Sequence, residues 1–140
     1  MNADLDTLRA FFAKAPFMVD LGVQPVAVQP GRLTTEMALA NRHFQHTGQA
    51  HAGVMASLAD HSMGAAAQML APEGHWILTA ELKTSLLRAA KGERLVCDAW
   101  VVKAGRMLSF TEAEVYALDG GERRLVMKAS ATMAVAAIRV

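Results

Sequence analysis

HAGVMASLADHSMGAAAQML, residues 51–70, decides how this chain must fold. Apolar residues recur through it at helical spacing, and no proline interrupts it. Ala56, Ala59, Gly64, Ala65, Ala66 and Ala67 are small enough for other elements to approach closely. Val54, Met55, Leu58, Met63 and Met69 fill the gaps between them. A helix with so little polar surface has to be surrounded. Yet Asp60 stands at its middle, with His61 beside it.

The flanking sequence supplies the surroundings. Upstream, Leu5, Leu8, Phe11 and Phe12 sit at helical spacing over residues 4–14, with Asp4 as cap and Pro16 as stop. This short amphipathic helix is assigned no catalytic role. VQPVAVQ, the turn Gln29-Pro30-Gly31 and RLTTEMAL then read as a hairpin. Polar NRHFQHTGQ is a loop into the long helix. After Pro72-Glu73-Gly74 the chain turns to strands. ILTAELKTSLL alternates, predicting Leu78, Ala80, Leu82, Thr84 and Leu86 on one face and Thr79, Glu81, Lys83 and Ser85 on the other. RLVCDAWVVK, RMLSFTEAEVYAL and RRLVMKASATMAVAA are three more strands, with turns at Lys91-Gly92, Ala104-Gly105 and Asp119-Gly120-Gly121. The expected class is α+β: an antiparallel sheet of five or six strands laid around one long central helix, with residues 1–140 as a single domain.

Composition narrows the function. The 140 residues are 53% hydrophobic and 19% charged, which excludes disorder. Fourteen basic and thirteen acidic residues leave a net charge of +1, too balanced for a nucleic-acid footprint. The lone Cys97 suits a reducing cytoplasm. Asp4 and Asp6 break up an N-terminus that reads as neither a signal peptide nor a membrane span. A cytoplasmic location is the expectation.

Asp60 then needs a reason. An unpaired buried carboxylate costs several kcal/mol, so the bland reading is a capped turn, an ion pair or a solvent-facing edge. The functional reading is a carboxylate made reactive by apolar surroundings, serving as base or nucleophile. The loop upstream favours the second. Gln45 to Gly53 opens into the N-terminus of this same helix, where unpaired N–H groups and the helix dipole suit a developing oxyanion.

Gln45-x-x-Gly48-x-x-His51-Ala52-Gly53, continuing into Ser57-Leu58-Ala59-Asp60, resembles the signature of the hotdog-fold acyl-CoA thioesterases of the phenylacetate-pathway, or PaaI-like, type. In that family the pattern is Asn or Gln, two residues, Gly, two residues, His-Gly-Gly, then Leu-Ala-Asp or Leu-Ala-Glu. Thr79-Ala80-Glu81-Leu82 through Leu87-Arg88-Ala89-Ala90, Gly105-Arg106 and Ala131-Thr132-Met133 resemble its strand landmarks. The resemblance implies hydrolysis of acyl-CoA thioesters, with coenzyme A as part of the substrate and no separate cofactor. It implies that Asp60 attacks the thioester or activates water, and that the Ala52 N–H, with Gly53 beside it, polarises the carbonyl. Gln45 would bond the carbonyl or orient the nucleophile, His51 would shape the loop, and Thr79 would help position water. The chain departs from the pattern in reading His-Ala-Gly. Ala52 keeps its N–H but adds a Cβ, which bears on substrate choice more than on the reaction.

If Ala52 and Asp60 act on one atom, one chain cannot supply both. Eight residues on a helix at ~1.5 Å each separate them by roughly 12 Å, against the ~3.5 Å that attack requires. Two antiparallel copies of the helix can, which predicts a homodimer with two composite sites. Outward-facing Val102 and Tyr116 offer a route to a tetramer. Arg88, Lys91 and Arg106 are candidates for the coenzyme A phosphates, and Phe44 and Trp76 for an acyl pocket. His43, His46, His51 and His61 lack the spacing of a metal site, and Ser57 and Ser62 lack a nucleophile elbow. Two alternatives stay open: a hotdog hydratase or dehydratase acting on acyl thioesters, and a non-catalytic acyl-CoA-binding module.

Overall fold

In a computed structural model, which describes residues 1–139, the quoted stretch is a single helix, α3, running Ala52–Leu70 with His51 as its cap. Leu58, Ala59, Ser62, Met63 and Ala66 are fully enclosed. What encloses them is one six-stranded antiparallel sheet: β1 (Gln24–Gln29), β2 (Arg32–Ala38), β3 (His75–Leu86), β4 (Arg94–Ala104), β5 (Leu108–Asp119) and β6 (Glu122–Ala137). The spatial order is β1-β2-β4-β5-β6-β3, and α3 packs against β2, β3, β4, β5 and β6. Leu33 and Met37 of β2, Leu95 of β4, Val115 of β5 and Met127 and Met133 of β6 form the other side of the core.

The hydroxyls inside this core are paired, whereas the buried Nε2 of His43 has no partner among the described residues. Thr35 and Ser62 join their hydroxyls at 2.7 Å across β2 and α3. Cys97 beside them is buried, and desolvation pushes its thiol up to about 12, so it is inert. Between β5 and β6, Gly120 and Gly121 both take positive φ (56° and 89°). A two-residue turn that keeps the strand twist needs that conformation.

The first helix, α1 (Leu5–Ala13), is capped by the Asp4 carboxylate, which accepts from the Thr7 N–H at 2.8 Å. Pro16 does more than stop it. It occupies the first turn of a second short helix, α2 (Pro16–Leu21), where a missing N–H costs nothing. Only six residues long, α2 is too short for a periodic pattern, so Pro16 reads in the sequence as a stop alone.

β3 is the edge of the sheet and differs most from its expected form. Thr79 pairs with Met133, but the next register pair is Glu81 with Thr132, so Ala80 is an extra residue, a bulge. The bulge resets the alternation. Ile77 and Thr79 face α3 before it, and Leu82, Thr84 and Leu86, opposite Ala131, Ala129 and Met127, face the helix side after it. Leu78 is therefore on the opposite face from Leu82, and Thr79 leaves the company of Glu81 and Lys83. Little of the single chain covers this strand: Leu78 is 57% exposed, Leu82 38% and Leu86 55%.

Candidate active site

The first half of the site is the start of α3. His51 holds the loop by donating its N–H to the His43 carbonyl at 2.9 Å, and Ala50 donates to Ala90 at 2.9 Å. His51 then caps the helix with its ring: Nδ1 accepts the Gly53 N–H at 2.8 Å, which leaves the imidazole proton on Nε2. The Val54 N–H goes to the His51 carbonyl at 3.0 Å. The Ala52 N–H, at the first position of the helix, has no partner among the described residues. It opens into a cavity of about 380 Å³ lined by Gln45, Ala52, Met55, Leu86 and Arg88. Gln45 Nε2 donates to Thr47 Oγ1 at 3.0 Å, and Arg88 Nη1 donates to the Leu125 carbonyl at 2.8 Å.

The second half lies two helical turns along. Asp60, half-buried, accepts a hydrogen bond at Oδ1 from the Thr79 hydroxyl at 2.7 Å. They share a cavity of about 260 Å³ with Phe11, His61, Gln68 and Trp76. The bulge at Ala80 follows directly on Thr79, whose side chain faces the helix.

The residues singled out from sequence thus fall into two groups. Gln45, Ala52 and Arg88 line one cavity, with His51 and Gly53 shaping its rim; Asp60 and Thr79 line the other, with Trp76. Gly53 enters through its backbone, its N–H already held by His51, so Ala52 is the free donor. A Cβ at Gly53 would stand 3.0 Å from His51 Nδ1, which explains a glycine there. Lys91 and Arg106 are exposed in turns outside both cavities, and Phe44 pairs with Ala50 instead of lining either. Phe11 and Gln68 were not expected. Phe11 brings α1 into the wall beside Asp60, which nothing in an ordinary amphipathic pattern signals.

The Thioesterase superfamily model matches residues 47–123, more than half of the chain, a span that holds Ala52, Asp60 and Thr79 and begins after Gln45. The chain belongs to the thioesterase superfamily. A thioesterase family protein from Silicibacter pomeroyi superposes with a TM-score of 0.91 at 34% identity, over 95% of this chain and 98% of that one. The Escherichia coli PaaI protein has the same fold, with a TM-score of 0.82 at 16% identity over 96% and 95% of the two chains. Human acyl-coenzyme A thioesterase 13 is 29% identical over 91 residues, 64% of each chain. This chain spans 54% to 64% of the length of the curated relatives it matches. Within the thioesterase superfamily, its fold is the hotdog arrangement that the sequence resembles, a six-stranded sheet around one helix.

Two imidazoles near the candidate site, His43 buried and His61 half-buried, are pushed toward the neutral form. His61 lines the Asp60 cavity and packs against α1, edge-on to Phe12 at 4.6 Å and tilted against Phe11 at 5.8 Å. Desolvation holds it below its ordinary value, outweighing the attraction of Asp60. His43 is lowered by desolvation and by the Arg42 charge, while its Nδ1 accepts the Ala40 N–H at 2.9 Å. Unfolding returns both to about 6.5, so the unfolded chain binds more protons once the pH falls below that value. Their contribution to stability is complete above the unfolded value and declines as the pH drops through it, each by at most about 1.4 kcal/mol per pH unit. Thermal unfolding should therefore give a midpoint that holds between about pH 8 and pH 7 and drops toward pH 5. A His61→Phe variant should drop less steeply.

Proposed function

We propose that this chain hydrolyses acyl-CoA thioesters as a homodimer, with each reaction centre shared between two protomers. The observation that carries this reading is the pair of half-sites at opposite ends of one open edge strand. Leu86, at the end of β3, lines the cavity of the free Ala52 N–H; Thr79, near its start, holds Asp60. A two-fold axis through the middle of β3 brings the start of one strand beside the end of its copy, and each Ala52 beside the partner's Asp60. The exposed apolar side chains of β3 and Trp76, which is 50% exposed, would be covered by the same contact.

In this arrangement the thioester carbonyl oxygen points at the Ala52 N–H, supported by the α3 dipole and by Gln45. The partner's Asp60, with Oδ1 held by Thr79 and Oδ2 free, attacks the carbonyl carbon or takes a proton from the attacking water. With Asp60 as base, the oxyanion collapses, the C–S bond breaks and coenzyme A leaves as the thiol, carrying the proton that Asp60 took from water. With Asp60 as nucleophile, the collapse expels the thiolate, which is protonated from solvent, and leaves an acyl-Asp60 anhydride. A water hydrolyses that anhydride to the free acid and the Asp60 carboxylate, returning the proton. Arg88 and Lys91, following β3, lie at the Ala52 end. Arg106 lies in the β4–β5 turn, and the Leu108–Ala134–Leu78 register sets that turn at the Asp60 end. The dimer would bring all three to one rim for the phosphates. The acyl chain enters the cavity walled by Phe11 and Trp76. Human acyl-coenzyme A thioesterase 13 supports coenzyme A esters as the substrate class.

Incubating the protein with a panel of acyl-CoAs and a thiol reagent tests the reading. Release of free coenzyme A is the expected result. Loss of enoyl absorbance without thiol release would make the protein a hydratase, and tight binding with neither change would make it a binding module.

The oxyanion donor has its own test. Ala52 is the first residue of α3, a position proline accepts, and His51 before it is extended at φ −62° and ψ 139°, as a residue preceding proline must be. Ala52→Pro deletes the N–H and should leave the helix standing. Turnover should fall by about 10²–10³, with an unchanged circular dichroism spectrum. Undiminished turnover would remove this N–H from the mechanism.

A further inference from the structure

We propose that Gln68 is a positioning residue that sets the register between two copies of β3 and so aligns the composite site; this rests on the edge-to-edge dimer proposed above. The Gln68 side chain reaches from the last turns of α3 to the start of β3, where Nε2 donates to the His75 carbonyl at 2.9 Å and Oε1 accepts the Ile77 N–H at 3.0 Å. An N–H held by Gln68 is not directed at β6, so these two groups belong to the open edge of the sheet. The amide fills the place that a neighbouring strand would take. Past it the edge is free from Thr79 to Leu86, seven registered positions with the bulge at Ala80 counted once. Their midpoint is Lys83.

Two registers compete for this edge. With Lys83 on the two-fold axis, Leu86 meets the bulged Thr79–Ala80 corner of its partner, and Ile77 lies beyond the end of the partner's strand. With Leu82 on the axis, Glu81 lies opposite the partner's Lys83, an electrostatically better pairing, and Leu86 lies opposite Ile77. The second register asks Leu86 to bond the peptide groups that Gln68 already occupies. Gln68 thereby excludes the slip that charge alone would favour. It also ties β3 to α3 two turns beyond Asp60, so the Asp60–Thr79 pair and the end of the ladder are set by the same helix.

Cross-linking reads the register directly. Antiparallel residues facing each other across a two-fold axis without mutual hydrogen bonds bring their Cα atoms to about 4.5 Å, within disulfide reach. Lys83→Cys should therefore give a disulfide-linked dimer under mild oxidation, with Cys97 too buried to interfere. Adding Gln68→Met should leave a dimer by sedimentation while lowering the yield of that cross-link about fivefold or more. Cross-linking should move to mixtures of Glu81→Cys and Lys83→Cys chains in the same background, with turnover falling in parallel. Gln68→Glu, which keeps the acceptor for Ile77, should retain more of the Lys83 register than Gln68→Met. An undiminished Lys83 cross-link in both Gln68 variants would overturn the role of Gln68 and leave the dimer standing. A dimer of the Gln68-intact chain that does not cross-link at Lys83 would overturn the register. A monomeric Gln68-intact chain would overturn the shared-site reading itself.

Discussion

Asp60→Asn should lower thioester turnover by about 10²–10⁴, while the thermal midpoint and the quaternary state stay as they are. The substitution is isosteric, and the Asn carbonyl still accepts the Thr79 hydroxyl that holds Oδ1 at 2.7 Å, so the strand-to-helix tie survives. What is lost is the negative charge that the proposed reaction uses to attack or to accept a proton. Asp60 is half-buried and takes part in no salt bridge among the described residues, so no described cation is orphaned by its removal. A structural role would give the opposite pattern, with a lowered midpoint and modest kinetic change. Steady-state rates measured beside a melting curve separate the two, and full activity in the variant would take Asp60 out of the chemistry.

Mixing that variant with Gln45→Ala should bring activity back. In the proposed dimer each single variant spoils both sites, because each site would draw Gln45 and Ala52 from one chain and the carboxylate from the other. After free exchange about half the dimers are mixed. Each mixed dimer holds one site with both defects and one with neither, so the mixture should reach about a quarter of the native rate. The Ala52 and Asp60 cavities are separate within one chain, which makes this outcome specific to a shared site. Exchange is followed with two affinity tags on the two chains. Mixed dimers isolated without recovered turnover would exclude a site built from two protomers.

The helix that encloses Asp60 is legible to within a residue because its small side chains have one use, to let a sheet surround them. The hairpins are legible for the same local reason: Pro30-Gly31 and Gly120-Gly121 adopt backbone shapes that short-range sterics favour. Asp60, Gln45 and Ala52 could be picked out since a carboxylate in an apolar helix and a polar loop at its N-terminus are anomalies visible in one dimension. Phe11 could not. Its packing beside Asp60 depends on where α1 docks, and an amphipathic pattern tells which face is apolar without naming what it meets. The bulge at Ala80 was also out of reach. Strict alternation in ILTAELKTSLL fits either parity, and only pairing with β6 shows that one residue is extra.

The sequence by itself determined the α+β class, the central helix and the two kinds of group proposed for the site, because these follow from local propensity and from the cost of burying charge. Only the tertiary structure decided that Thr79 holds Asp60, that Ala52 keeps the free N–H while Gly53 does not, and that Gln68 closes part of the open edge. Those outcomes depend on which hydrogen-bonding groups are already occupied, and occupancy is fixed by neighbours far away along the chain.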